Sequence, residues 1–263
     1  MPVLVVLGKE VRDRLVLVSV VVSVLIALCL TMGALWAPLS VQFASMRALL
    51  PPGVLALVPG GDMSSITGWV NAQVMTLTAP GALIVVAILS ALRGTVGEED
   101  RGTLALLLGS GVSRATFSAA KFGATLVHVL LTGVGLLVGL MAANSIWSLG
   151  LADRRILAAT GHAVALGWFF GALTIALGLA TGRLRMSGML SVASAATAFV
   201  VATFFPLSEK LSGWERISPW YYFSAADPLN EGPDYSYVIL LLGVSFILYL
   251  LSLWRFARRD LRS

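Results

Sequence analysis

Four groups of residues in this sequence could do chemistry or grip a partner: the dense charged run from Arg93 to Arg114, the histidines His128 and His162, the triplet Met186-Ser187-Gly188, and Gly8-Lys9-Glu10 near the start. The charged run contains Glu98-Glu99-Asp100-Arg101-Gly102-Thr103-Leu104-Ala105-Leu106-Leu107-Leu108-Gly109-Ser110-Gly111-Val112-Ser113-Arg114. Leu104, Leu107 and Leu108 recur at i, i+3 and i+4, which predicts a short helix with an apolar ridge. The three carboxylates before it suit a helix N-terminus, where the backbone dipole favours negative charge, and Gly109-Ser110-Gly111 stops it. Such a helix fits a groove on another protein, although the same periodicity also suits a helix resting on a bilayer surface.

The remaining groups support less. An energy-driven pump needs a loop of the form Gly-x-x-x-x-Gly-Lys-Ser/Thr to cradle phosphates, and the sequence has none; Gly8-Lys9-Glu10 is a fragment of that pattern. No nucleotide is therefore expected on this chain, no catalytic residue is assigned, and the chain is not expected to be an enzyme. Ser187 would need a glycine where Arg185 stands and a base that the earlier histidines are not placed to supply, which argues against serine proteolysis. His128 and His162 lie inside apolar stretches, where an ionisable group is either functional or held by a hydrogen bond to a neighbouring helix. Neither forms a metal-ligand pair at helical spacing, so no metal is expected. Cys29 is the one cysteine and can form no intrachain disulfide.

The elements that must position these residues follow from composition. Of 263 residues, 58% are hydrophobic and 12% charged, and the mean hydropathy is +0.91. That leaves too little polar surface for a water-soluble globule. Uncharged runs long enough to cross a hydrocarbon core of roughly 30 Å recur six times. Backbone groups in lipid must be satisfied within each segment, and the runs lack the alternation of barrel strands, so helices are expected. The expected class is an all-α, polytopic membrane protein in one domain, residues 1–263. Its spans are expected at about 15–37, 72–92, 122–143, 156–181, 187–207 and 236–254. The first is read as an uncleaved helix, because it is too long for a signal segment and Pro38 directly follows Ala37.

Basic residues resist translocation, so their distribution predicts orientation. With the N-terminus inside, Lys9, Arg12, Arg14, Arg93, Arg101, Arg114, Lys121, Arg183, Arg185, Arg255, Arg258, Arg259 and Arg262 are cytoplasmic. Only Arg47, Arg154, Arg155, Lys210 and Arg216 are then outside, which places both termini in the cytoplasm of a multi-pass protein of the cell membrane. The net charge of +5 is thus a topology signal; no basic cluster is interleaved with stacking aromatics, so nucleic acid is not expected as a partner.

Leu4, Leu7, Val11 and Leu15 share a helical face, as in an interfacial helix, and a solvated N-terminus is the alternative. Residues 36–71 hold Pro51-Pro52-Gly53 and Pro59-Gly60-Gly61 and are expected to form turns and short helices outside. The stretch 209–237 carries Trp214, Trp220, Tyr221, Tyr222, Phe223, Tyr235 and Tyr237, an aromatic belt at the outer interface. Gly135 and Gly139, Gly167 and Gly171, Gly178 and Gly182, and Ser187, Ser191 and Ala195 repeat at four-residue spacing, which allows close packing of helices. The stretch from Ser187 to Ala198 equally suits a subunit contact. Pro80 is expected to bend the second span and free a carbonyl.

At the charged run the residues resemble a family. Glu99-Asp-Arg-Gly-Thr-Leu-Ala-Leu-Leu-Leu, then Val112-Ser-Arg114 and Lys121, is similar to the acidic-x-x-Gly-Thr-Leu-x-x-Leu-Leu…Val-Ser-Arg…Lys signature of type-2 ATP-binding cassette (ABC) permeases, the six-helix membrane subunits of ABC exporters. Lys9-Glu10 resembles the family's N-terminal Lys-Glu. The loop from Pro51 to Gly68 and the segment Ser218-Pro-Trp-Tyr-Tyr…Asp227-Pro-Leu resemble members linked to antibiotic efflux. Gly111 departs from the proline usual before Val-Ser-Arg, which implies altered flexibility with docking retained.

The resemblance implies that Glu98 to Leu108 is a cytoplasmic coupling helix seated on a separate cytosolic ABC ATPase present in two copies. Glu98, Glu99, Arg101, Leu104, Leu107 and Arg114 would dock it, with Thr103 inside the signature and Gly102 allowing close approach. ATP-Mg would be bound by the partner, with no cofactor on this chain. A second permease subunit, identical or related, would complete a pathway embedded in membrane lipid. A pathway of Val, Leu, Ala, Gly and Phe suits a lipophilic, drug-like or antibiotic-like cargo. The alternatives are export of a lipid or glycan precursor, and a non-transporting module that uses ATPase motion to mature an extracytoplasmic partner. The sequence leaves the substrate-binding residues unassigned.

Overall fold

The computed structural model describes residues 2–49, 63–100, 102–109 and 111–258, with side chains described for all of these except 2–5, 46–49 and 105–107. Among the described residues every regular element is a helix. Six are long and apolar enough to cross a membrane: Leu15–Ser45, Ile66–Asp100, Arg114–Ile146, Asp153–Thr181, Leu184–Leu207 and Tyr235–Arg258. The chain is an all-α, multi-pass membrane protein.

In chain order the helices are α1 (Pro2–Arg12), α2 (Leu15–Leu49), α3 (Ile66–Val70), α4 (Thr78–Gly94), α5 (Val96–Asp100), α6 (Thr103–Gly109), α7 (Arg114–Ile146), α8 (Asp153–Thr181), α9 (Leu184–Phe204), α10 (Tyr221–Ser224) and α11 (Tyr235–Arg258). Six passes bring α1, α5, α6 and the end of α11 to one face, called here the terminal face. The opposite, distal face carries α3, α10 and the turns between α9 and α11. α8 and the second span lie centrally, whereas α2, α9 and α11 are peripheral and turn Val16, Val20, Met189, Val192, Ile239 and Leu251 outward. In water these stripes would be untenable; in lipid they are the solvated surface.

Glycines set the closeness of the central helices. A Cβ at Gly139 would meet the Ile26 backbone of α2 at 3.1 Å, and one at Gly167 would meet the Leu83 backbone of α4 at 3.3 Å. The four-residue spacing is therefore used for packing within the chain, as van der Waals contact must replace the hydrophobic drive that lipid does not supply. Ser187 and Ser191 are likewise fully buried, the first hydrogen-bonded to Thr181 at 2.8 Å.

Two expectations for the backbone are corrected. Helix α2 does not give way to turns after Trp36 but continues through Pro38 to Leu49. Proline removes one hydrogen bond, yet Trp36, Leu39 and Phe43 fall on one face and pack on the core, with Trp36 and Phe43 against the Trp69 ring at 6.2 and 5.4 Å. The proline-rich stretch at residues 51–61 lies outside the described residues. In the second span the irregularity precedes Pro80: a π-helical turn, Asn71–Met75, and a break at Leu77 (φ −139°, ψ −42°) leave Pro80 in the first turn of α4. A missing N–H costs little there.

The aromatic segment of the distal face is only partly a belt. Trp214 and Tyr235 point outward, but Trp220 and Phe223 are buried. Ser218 donates to the Ala198 carbonyl of α9 at 2.7 Å, and Trp220 packs edge-on against Phe199. α11 then starts beside Asp234, whose carboxylate accepts from the hydroxyl and amide of Ser236. Those bonds, the hydroxyl's first, hold it below the usual aspartate range.

Candidate functional site

On the terminal face, the charged run folds into two short helices rather than one. Gly102 stands between α5 and α6 with φ +73°, and Gly111 follows α6 with φ +90°. Both values lie in the left-handed region that glycine enters without steric cost. A Cβ at Gly102 would meet nothing of this chain within 4 Å, so within the chain its role is conformational. A proline at 111, with φ fixed near −65°, could not make the turn seen here.

Of the described side chains of this knuckle, Leu104, Leu108 and Glu98 turn toward the bundle. Leu104 is 3% exposed, in a buried cluster with Ala91, Phe117, Ile175, Leu179 and Phe256, and Leu108 packs against its edge. The physical reason is that an apolar ridge beneath a bundle finds the bundle itself the nearest cover. Glu98 also turns in: one carboxylate oxygen lies 3.6 Å from the Lys121 ammonium, and the other accepts from the Thr103 hydroxyl. That hydroxyl also lies 3.0 Å from the Glu98 carbonyl, so Thr103 closes the turn between α5 and α6. Arg101 lies outside the described residues, as does the side chain of Leu107.

Lys121 is the centre of the arrangement. It is 2% exposed, one turn and more inside α7, and pairs with Glu10 of α1 as well as with Glu98 of α5. Its ammonium sits 5.0 Å from the centroid of the Phe117 ring. A buried cation needs partners of this kind, because desolvating an unpaired charge costs several kcal/mol. One side chain therefore ties the N-terminal helix, the third span and the knuckle together. Leu7 of α1 sits where a Cβ on Gly123 would come within 2.8 Å of it, and His128 Nε2 lies 3.2 Å from the Val11 carbonyl. Helix α1 is thereby docked on α7 through one face.

Arg114 makes the second tie. Its guanidinium donates to the Phe256 carbonyl at 2.5 Å and stacks over the Phe256 ring at 5.3 Å. A cation at a helix C-terminus meets the negative end of the dipole, so the start of α7 clasps the end of α11. Ser113 caps α7 by accepting from the Thr116 amide at 3.0 Å. Outward on this face stand Arg93, Asp100 and Gly102, with Glu99 half-buried.

The two histidines are not brought together. His162 lies between the Ala158 carbonyl, 2.9 Å from Nδ1, and the Asp234 carbonyl, 3.1 Å from Nε2. Both histidines thus face backbone oxygen, the role of a helix-linking hydrogen bond. Sequence reasoning assigned no part to Phe256, or to Glu10 and Lys121 as a pair. The available signal was charge inside apolar context: Glu10 interrupts a valine- and leucine-rich helix, and Lys121 begins an uncharged run. No protein-family model matches the chain, and no curated protein matches it.

Proposed function

We propose that this chain is the transmembrane permease subunit of an ATP-driven exporter of the type-2 ABC class, moving a lipophilic, drug-like substrate out of the cytoplasm or inner leaflet. The observation that carries the reading is the Lys121 tie. A short surface knuckle, α5 and α6, is bonded through Glu98, Lys121 and Glu10 to two other helices, and packs through Leu104 beside Phe256 of a third, which Arg114 of α7 also clasps. A push on the knuckle moves α1, α7 and α11 together, as a two-state packing change requires.

The sequence lacks a phosphate-binding loop, so the motor is a separate cytosolic ATPase binding ATP-Mg. Two copies would engage two permease subunits from the cytoplasmic side. Its contact is the outward edge, Arg93, Glu99, Asp100 and Gly102, while Glu98 and Leu104 transmit from within. The basic residues of the terminal face and the signature running from Glu99 to Lys121 support this orientation and this partner.

The test is co-purification with the ATPase from native membranes. Arg93→Glu combined with Asp100→Arg reverses two exposed charges and should lower recovered ATPase at least tenfold with membrane yield unchanged. Glu231→Arg, on the distal face, should have no effect. Equal recovery of ATPase with all three proteins would overturn the proposed docking edge.

A further inference from the structure

On the distal face a cavity of about 540 Å³ opens between α3, the π-helical turn, α9 and α10. That is the size of sites that hold drug-sized molecules. Its lining sets it apart from the apolar pathway expected from composition. Asn71, Thr76 and Thr203 supply polar groups, Trp220 and Phe223 supply aromatic surface, and Asp227 is the one charged residue among the described residues of the lining. Arg154 and Arg155, on the same face, line a different cavity.

Asp227 is held for display. Its backbone has φ +36°, a conformation non-glycine residues rarely take and aspartate and asparagine take most readily. Its two carboxylate oxygens accept from Asn71 Nδ2 at 3.2 Å and Asn230 Nδ2 at 2.7 Å. Among the described residues no cation lines the cavity, and each oxygen has further acceptor capacity. An anionic acceptor therefore stands beside aromatic rings, whose faces attract cations. One carboxylate without a second acidic, histidine or cysteine neighbour does not suit a metal ion; among the described residues no group of three such ligands occurs.

We infer that this cavity binds a monovalent organic cation with an apolar body, the positive centre beside Asp227 and the body between Trp220, Phe223 and Thr203. Its use for cargo rests on the permease reading; binding itself does not.

The experiment uses the full chain in phosphatidylcholine nanodiscs without ATPase, and equilibrium dialysis with radiolabelled tetraphenylphosphonium. Saturable binding is expected for the parent. Asp227→Asn tolerates the same backbone and keeps most of the shape, and should weaken binding at least tenfold. Thr203→Trp fills the cavity without altering charge and should do the same, so it decides the matter if the first variant fails to fold. Glu231→Gln removes a carboxylate from the same face outside this cavity and should bind as the parent does. Non-saturable uptake, unchanged binding after Asp227→Asn or Thr203→Trp, or an equal loss after Glu231→Gln would overturn the site. Because no ATPase is present, that failure would leave the docking proposal standing.

Discussion

Lys121 is where stability and transmission can be separated. Lys121→Ala leaves Glu10 and Glu98 facing each other in a buried space, and breaking a buried pair in this way costs on the order of 3 kcal/mol. Replacing all three groups, Glu10→Gln, Glu98→Gln and Lys121→Met, removes the charges together and is expected to restore most of that loss. Unfolding in mixed micelles checks the pair: the single variant should melt well below the parent, and the triple variant close to it. If the account of transmission holds, the triple variant still loses transport-coupled ATP hydrolysis, since the side chain linking α1, α5 and α7 no longer carries force. Full coupling in a stable triple variant would show that the tie is structural only. The residue types were legible in the sequence, but the pairing was not. Glu10 and Lys121 are separated by more than a hundred residues, and no periodicity within either helix says which face meets the other.

At the scale of elements, the knuckle, two short helices hinged at Gly102, differs from the single short helix that its leucine spacing predicts. Leu104 and Leu108 of the expected ridge are covered, but periodicity reports that a face is covered and not what covers it. Leu104 is covered by Phe117 and Phe256 of its own chain. Leu104→Ala should therefore destabilise the protein by about 2–5 kcal/mol, as large-to-small changes in a packed core do, whereas Asp100→Ala should stay within about 0.5 kcal/mol. Thermal unfolding of both variants without the ATPase decides it; equal, small effects would mean that the ridge faces away from the bundle. The spans themselves were the most legible feature, because lipid demands uninterrupted apolar helices. Their ends were less so: α7 begins at Arg114 under the Ser113 cap, about two turns before the expected start, and α2 carries on past Pro38. Capping and packing on Trp69 decide those limits, and hydropathy is blind to both. The cavity at Asp227 was invisible for a similar reason, since it joins Asn71 to a residue more than a hundred and fifty positions away.

At the scale of the whole molecule, a central pair of well-covered helices is surrounded by three that present apolar stripes, and one face gathers the basic residues and the tethered knuckle. Everything proposed about a motor requires that face to meet the cytosol and the ATPase. The most direct measurement places a single cysteine at the exposed Asp100, in a Cys29→Ser background, and attaches a photo-crosslinking maleimide. In intact cells a membrane-impermeant maleimide should fail to block Asp100→Cys, and in inverted vesicles the crosslinker should yield an adduct containing the ATPase. Blocking from outside intact cells, or illumination of inverted vesicles without any ATPase adduct, would contradict the account.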